Sequence, residues 1–132
     1  HGGPDKAVYA YPSAHYPLWS TELERDLTYW MFGENLTIDG LDEPSVRVGD
    51  ELRIGSALLA VTIPRLPCFK LASKFGRNDI IKRFARSGRS GFYLAVIEEG
   101  EVGAGDAIVV ERTSPDAPTI AEVLESIYRR PR

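Results

Sequence analysis

The arrangement of short apolar segments constrains the fold of this chain most strongly. Residues 51–54 and 57–63 flank a Gly55-Ser56 turn, which predicts a β-hairpin. Further strands are expected over residues 6–11, 35–38, 92–97 and 107–111. Residues 92–97 are continuously apolar and are therefore expected to be buried. Because strands follow one another without regular alternation with helices, we expect a mostly antiparallel β-barrel with a few peripheral helices, not a Rossmann-type sheet.

Three helices are expected around this barrel. They are predicted over residues 15–25, 79–86 and 119–130, with Ser13, Asn78 and Pro118-Thr119 as their capping residues. Pro64 and Pro67 interrupt the pattern after the hairpin, so residues 64–70 are expected to form a loop or an irregular strand.

Length and composition set the domain organisation. The chain has 132 residues, which suits one domain, and contains no apolar run approaching ~18 residues, so no membrane span is expected. We expect a β-barrel domain over residues 1–117 and the start of a further helical segment over residues 118–132. The only methionine is Met31, so we expect the chain to begin at an internal point of a longer protein. The single cysteine excludes an intrachain disulfide and suits a reducing, cytoplasmic location.

Charge is distributed unevenly along the chain. The net charge is −3, which suggests no nucleic-acid polymer as a partner. Residues 65–89, here called the basic segment, contain eight cations and one acid, Asp79, and so carry +7, whereas the rest of the chain carries −10. The basic segment is either an anion-binding site or a solvated face of a helix.

The most informative motif is Pro64-Arg65-Leu66-Pro67-Cys68-Phe69-Lys70. Two prolines restrict the backbone on the N-terminal side of Cys68. In an extended chain Lys70 would lie on the same face as Cys68, and nearby cations favour the thiolate, which is both a nucleophile and a metal ligand. The alternative is a buried free cysteine that packs as a small apolar side chain.

Three other segments contain candidate binding residues. His1 precedes two glycines, which allow close approach of backbone to a ligand. Glu34 and Asn35 follow Gly33, where they could line a site or form a turn into a strand. Arg89 lies in Gly88-Arg89-Ser90-Gly91, which is typical either of an anion-binding backbone nest or of a helix stop followed by a turn.

Five segments in this order resemble the MOSC domain family, named after the C-terminal domain of molybdenum cofactor sulfurase, and in particular its YiiM-like branch. They are His1-Gly2-Gly3-Pro4-Asp5-Lys6-Ala7, Phe32-Gly33-Glu34-Asn35-Leu36, Val48-Gly49-Asp50, Pro64-Arg65-Leu66-Pro67-Cys68-Phe69-Lys70 and Gly88-Arg89-Ser90-Gly91-Phe92-Tyr93. The resemblance implies a β-barrel that normally has strands before the first segment and often a helical module after Arg132. We therefore expect this barrel to be incomplete at its N-terminal side.

The resemblance also implies a chemistry. Cys68 would be the molybdenum ligand and the catalytic residue, and Arg65, Lys70, Glu34, Asn35, Arg89 and His1 would bind the molybdenum cofactor. The expected activity is the reduction of small N-hydroxylated compounds, for example hydroxylamino-purine base analogues, with electrons from a separate electron-donor protein. Two alternatives stay open: a sulfur carrier with a Cys68 persulfide and no metal, and a non-enzymatic anion-binding module with a buried cysteine.

Overall fold

The computed structural model describes residues 3–129, and its six described strands form one sheet. The strands are β1 (Val8–Pro12), β2 (Leu36–Ile38), β3 (Glu51–Ile54), β4 (Ala57–Pro64), β5 (Phe92–Glu98) and β6 (Ile108–Arg112). Their order across the sheet is β2-β1-β5-β4-β3-β6. The sheet curls into a half-barrel with helices at its periphery, as the sequence predicts.

One pair of strands differs from the antiparallel expectation. The β1–β2 pair is parallel, with Ala10 opposite Leu36 and Pro12 opposite Ile38, whereas every other neighbouring pair is antiparallel. The reason is the connection: a helix lies between β1 and β2 and returns the chain to the end where β1 began. The predicted hairpin of β3 and β4 is confirmed, with Ile54 opposite Ala57.

The described chain contains a short 3-10 helix and four α-helices. Their bounds are Pro4–Lys6 for the 3-10 helix, and His15–Leu23 (α1), Phe69–Phe75 (α2), Ile80–Ser87 (α3) and Ile120–Arg129 (α4). The sequence prediction missed α2, because Pro64 and Pro67 suggested irregular structure up to Lys70. Both prolines precede the helix, whose N-cap, Cys68, is extended with φ −140° and ψ 173°. No described helix is long and apolar enough to cross a membrane.

Two of the three predicted helix caps are wrong. The N-caps of α1 and α3 are Ala14 and Asp79, and neither makes a side-chain capping hydrogen bond. The third prediction is confirmed at Thr119. The Thr119 N–H donates to Glu122 at 2.8 Å and the Glu122 N–H donates to the Thr119 hydroxyl at 3.1 Å, a reciprocal capping box.

Apolar side chains form two cores. One lies against the sheet and contains Leu52, Phe92, Leu94 and Ile120. The other is aromatic and fixes the helices: its members include Tyr9, Tyr11, Trp19, Phe32, Phe75 and Phe84. The prediction of a fully buried β5 is wrong for its second half, because Val96 and Ile97 are exposed where the strand extends beyond both cores.

Candidate functional site

Cys68 is the last of the four residues that connect β4 to α2. Its side chain is exposed, so the alternative of a buried packing cysteine is wrong. The residue caps α2 with extended backbone and makes no side-chain capping hydrogen bond in the thiol form. The aromatic core holds this junction in place, because Leu71 and Phe75 of α2 are both buried in it.

The pKa of the Cys68 thiol lies below its ordinary value. Partial burial raises this pKa, but the backbone N–H groups of Lys70 and Leu71 and the charge and hydrogen bonding of Arg65 lower it more. The sequence analysis predicted an acidified thiol and expected the side-chain charge of Lys70 to contribute. In the structure Lys70 acts on the thiolate through its backbone N–H, because the segment is helical here, not extended.

Arg65 is the buried cation of this site, only 6% exposed. Its guanidinium donates a hydrogen bond to the Phe32 carbonyl at 3.0 Å and lies over two rings, 5.2 Å from the Tyr9 centroid and 5.3 Å from the Phe84 centroid. None of these partners is a carboxylate, and Arg65 forms no ion pair among the described residues. Arg65 therefore supplies fixed positive charge next to Cys68.

Cys68 and Arg65 line a cleft of about 440 Å³, here called the thiol cleft. Its walls also include Phe32, Gly33, Leu66, Lys70, Lys74 and Tyr93. Lys74 follows Lys70 by one helical turn, so both ammonium groups lie on one face of α2. The lining therefore combines apolar side chains with three cations, Arg65, Lys70 and Lys74.

Sequence analysis missed Lys74 and Tyr93 as residues of this cleft. The spacing of Lys70 and Lys74 becomes informative only when residues 69–75 are recognised as a helix. Tyr93 belongs to the last of the five segments quoted above but carried no separate signal. Burial raises the pKa of its phenol, so the hydroxyl stays protonated at neutral pH.

Glu34 and Asn35 have structural partners. Glu34 is buried, and its Oε2 accepts hydrogen bonds from the Tyr16 hydroxyl at 2.6 Å and from the Thr37 hydroxyl at 3.0 Å. The Asn35 side-chain oxygen accepts a hydrogen bond from the Tyr9 N–H at 2.7 Å, and its own N–H donates to the Tyr9 carbonyl. Both residues therefore anchor the segment that places Gly33 in the cleft wall.

Arg89 lies in a second cleft, here called the paired cleft, of about 350 Å³. Its guanidinium is 3.1 Å from Glu22 and 4.7 Å from the centroid of Trp19. Arg77, also in the basic segment, pairs with Asp79 at 2.9 Å. Neither Arg77 nor Arg89 lines the thiol cleft, whose cations are Arg65, Lys70 and Lys74. His1 lies outside the described residues.

The segment from Gly88 to Gly91 ends α3, as one of the two sequence interpretations predicted. Gly88 is the left-handed C-cap with φ +71°. The Ser90 carbonyl accepts a hydrogen bond from Tyr9, and the Gly91 N–H donates to Glu43 at 2.7 Å. That N–H already donates to a carboxylate, so Gly91 does not offer it to a bound anion.

The fold and the cleft together define a class: a β-rich domain that presents one acidified thiol in a cationic cleft. The sequence profile of the MOSC domain matches residues 1–109. The chain therefore belongs to the MOSC domain family, as the sequence analysis expected.

Relatives of known sequence agree with this assignment. The chain is 50% identical over 105 residues to the uncharacterized protein YflK of Bacillus subtilis and 42% identical over 107 residues to the protein YiiM of Escherichia coli, covering 80% and 79% of this chain. It spans 48% of the length of each. A protein of Gibberella moniliformis named "Reductase" is 40% identical over 120 residues, which are 87% of this chain and 21% of that protein.

Solved structures show the same fold. The crystal structure of YiiM from Geobacillus stearothermophilus has a TM-score of 0.94 and 41% identity, covering 97% of this chain and 66% of that one. The crystal structure of YiiM from Escherichia coli has a TM-score of 0.88 and 36% identity, covering 98% and 66% of the two chains.

Proposed function

We propose that this domain binds the molybdenum cofactor through Cys68 and reduces small N-hydroxylated compounds to amines. The observation that carries the proposal is the thiol cleft itself, where an exposed thiol with a lowered pKa lies beside the buried guanidinium of Arg65. Family membership supports the cofactor, and the relative named "Reductase" supports redox chemistry.

The residues of the cleft suit such a cofactor. A thiolate is a soft ligand of the kind that molybdenum accepts, and Cys68 supplies one ligand, so the metal's other ligands would come from the organic part of the cofactor. That part carries a phosphate, and Lys70 and Lys74 at the rim are exposed cations suited to bind it. Arg65 is held by Phe32 and two rings, so it would hold the thiolate without moving toward the phosphate.

The proposed reaction consumes two electrons and two protons, and converts an R–NH–OH compound into R–NH₂ and water. The bound cofactor would supply the two-electron chemistry at the nitrogen–oxygen bond. Arg65 and the N–H groups of Lys70 and Leu71 would keep Cys68 deprotonated for ligation. We further propose a cytoplasmic location, which suits a free exposed thiol, and a separate protein as the source of electrons.

The test compares the full-length protein with its Cys68→Ser and Cys68→Ala variants. Serine keeps the size and polarity of cysteine but stays protonated near neutral pH, so thiolate ligation predicts that both variants lose molybdenum and activity. Molybdenum is measured by elemental analysis after cofactor loading. Reduction of an N-hydroxylated purine is measured with reduced methyl viologen as a small electron donor.

Two results would contradict the proposal. Full molybdenum content and turnover in Cys68→Ser would show that the thiolate is not the ligand. Cyanide-labile sulfur on a molybdenum-free wild-type protein would instead favour the persulfide sulfur carrier.

A further inference from the structure

Among the described residues that line the thiol cleft, Tyr93 of β5 is the one with a hydroxyl group. Its neighbours in the lining are a glycine, apolar residues, Cys68 and three cations that the proposed function already uses. Burial raises the pKa of the Tyr93 phenol, and the charges of Arg65 and Cys68 also act on that pKa. The phenol therefore keeps its proton at neutral pH and lies within electrostatic reach of the Cys68 sulfur.

The side chain of Tyr93 is held from several directions and is only 7% exposed. Its ring centroid is 5.2 Å from that of Tyr9, the residue opposite it on β1. The ammonium group of Lys6 lies over the ring, 5.7 Å from its centroid. On the β4 side, the Thr62 hydroxyl donates a hydrogen bond to the Tyr93 carbonyl at 3.1 Å. The phenol thus has a fixed position on a central strand, unlike the exposed lysines of α2.

We propose that the Tyr93 hydroxyl donates a hydrogen bond to the N–O oxygen of the substrate and so selects N-hydroxylated compounds over the corresponding amines. The inference rests on the proposed function, because it assigns a role within the same cleft. The reaction converts R–NH–OH, two electrons and two protons into R–NH₂ and water, so negative charge grows on the departing oxygen as the N–O bond breaks. A donor at that oxygen stabilises the transition state more than the bound substrate.

The other hydrogen-bond donors of the cleft are less suited to this role. Arg65 already donates to the Phe32 carbonyl and lies over two rings. Lys70 and Lys74 are exposed on α2, where water competes for their hydrogen bonds and where the cofactor phosphate is proposed to bind. A phenol oxygen accepts one hydrogen bond while its O–H donates another, so the role is compatible with further partners of Tyr93.

The test compares two ligands that differ by one oxygen atom, hydroxylaminopurine and adenine. Binding of each to the oxidised, cofactor-loaded full-length protein is measured by isothermal titration calorimetry without a reductant, so that no turnover occurs. We expect the wild type to bind hydroxylaminopurine about tenfold more tightly, since the purine amine is a poor hydrogen-bond acceptor. Tyr93→Phe, which removes only the hydroxyl, should reduce this preference to less than about twofold. The matched control, Tyr128→Phe, alters a tyrosine in a separate groove between α3 and α4 and should leave the preference unchanged.

Turnover separates a contact with the substrate from a packing role. With reduced methyl viologen as donor, Tyr93→Phe should lower kcat about a hundredfold and change KM less than about tenfold, as for the loss of one donor to a developing negative charge. Its molybdenum content and its pH profile of Cys68 alkylation should match the wild type, which shows that the cleft is intact. A packing role predicts instead that phenylalanine keeps both preference and turnover, because it keeps the ring and its contacts with Tyr9 and Lys6.

Two binding results would overturn the role of Tyr93: a preference for hydroxylaminopurine that Tyr93→Phe retains, and a wild type that does not prefer hydroxylaminopurine to adenine. If the wild type and Tyr93→Phe reduce hydroxylaminopurine equally well, the inference fails and the proposed function stands. If the loaded wild type reduces nothing but its preference depends on Tyr93, the proposed reduction fails and the recognition of the N–O group stands. A protein that takes up no molybdenum contradicts the proposed function, and the same titrations on the metal-free protein then decide the role of Tyr93.

Discussion

The thiol cleft and the paired cleft are built from the same basic segment but differ in how their cations are neutralised. In the thiol cleft, Arg65 contacts a carbonyl and two rings, and Lys70 forms no ion pair among residues 3–129. In the paired cleft, Glu22 contacts both Arg83 and Arg89, and Asp79 also contacts Arg83.

This difference shows why a count of cations does not locate an anion site. Cations that already have carboxylate partners, such as Arg83 and Arg89, offer less net attraction to a ligand, because the neighbouring negative charge opposes theirs. Cations held by carbonyls, rings or solvent keep their charge available. Only one end of the basic segment, from Arg65 to Lys74, is therefore suited to hold an anion beside Cys68.

The largest contrast is expected in stability. Arg65→Met replaces a buried guanidinium with an apolar chain and leaves the Phe32 carbonyl without its hydrogen bond, which should cost about 3 kcal/mol. Arg89→Met, the control in the paired cleft, should cost about 1 kcal/mol or less, because it loses a partly exposed ion pair and a ring contact. Urea unfolding measures both, and equal losses would remove the distinction between the two clefts.

Affinity for the cofactor should depend on a lysine of the thiol cleft and not on a lysine of the paired cleft. Lys70→Ala is expected to weaken binding of the molybdenum cofactor about tenfold while turnover at saturating cofactor changes less than about twofold, since Lys70 acts as a point charge on an anion. Lys82→Ala in the paired cleft should leave affinity unchanged. Equilibrium binding to the metal-free protein is the measurement. A loss with Lys82→Ala as large as with Lys70→Ala would favour diffuse attraction by the whole segment.

The reactivity of the Cys68 sulfur tests the same contrast between Arg65 in the thiol cleft and Arg89 in the paired cleft. Its rate of alkylation by iodoacetamide should follow a pKa below the ordinary value of ~8.5, since the thiolate is the reacting form. Arg65→Met should move that pKa upward, because a guanidinium that stabilises the thiolate is removed. Arg89→Met should not move it. A profile with a midpoint at or above ~8.5 in the wild type would contradict an acidified thiol.

The smallest effect is expected at Asp79 in the paired cleft. Hydrogen bonds from Arg77 and then Arg83 hold the pKa of this carboxyl below its ordinary value. A lowered pKa in the folded state stabilises the protein above the unfolded pKa of ~3.9, and this stabilisation is lost as pH falls through the lowered pKa. Asp79→Asn should therefore be slightly less stable than wild type at pH 7, and the gap should close in acid. Unfolding measured between pH 7 and 2.5 checks this, and a gap that widens in acid would contradict it.

Much of the fold follows from local sequence. The hairpin of β3 and β4 was predictable because a Gly55-Ser56 turn separates two apolar segments, and α4 because Thr119 and Glu122 form a recognisable capping pair. The parallel β1–β2 pair was not predictable from strand patterns, because it depends on where α1 leads the chain. Helix α2 was not predicted, because the two prolines that precede it suggested irregular structure.

For the candidate site, the sequence by itself determined the components: a lone cysteine after two prolines, cations on both sides of it, and a set of motifs that identify the family. Only the folded structure decided which of these cations lie near the thiol. Lys74 lines the cleft because it lies one helical turn after Lys70. Arg89 instead pairs with Glu22, which lies 67 residues away along the chain. The physical reason is that electrostatic influence depends on distance and on the nearest opposite charge, and both are set by packing between segments remote in sequence.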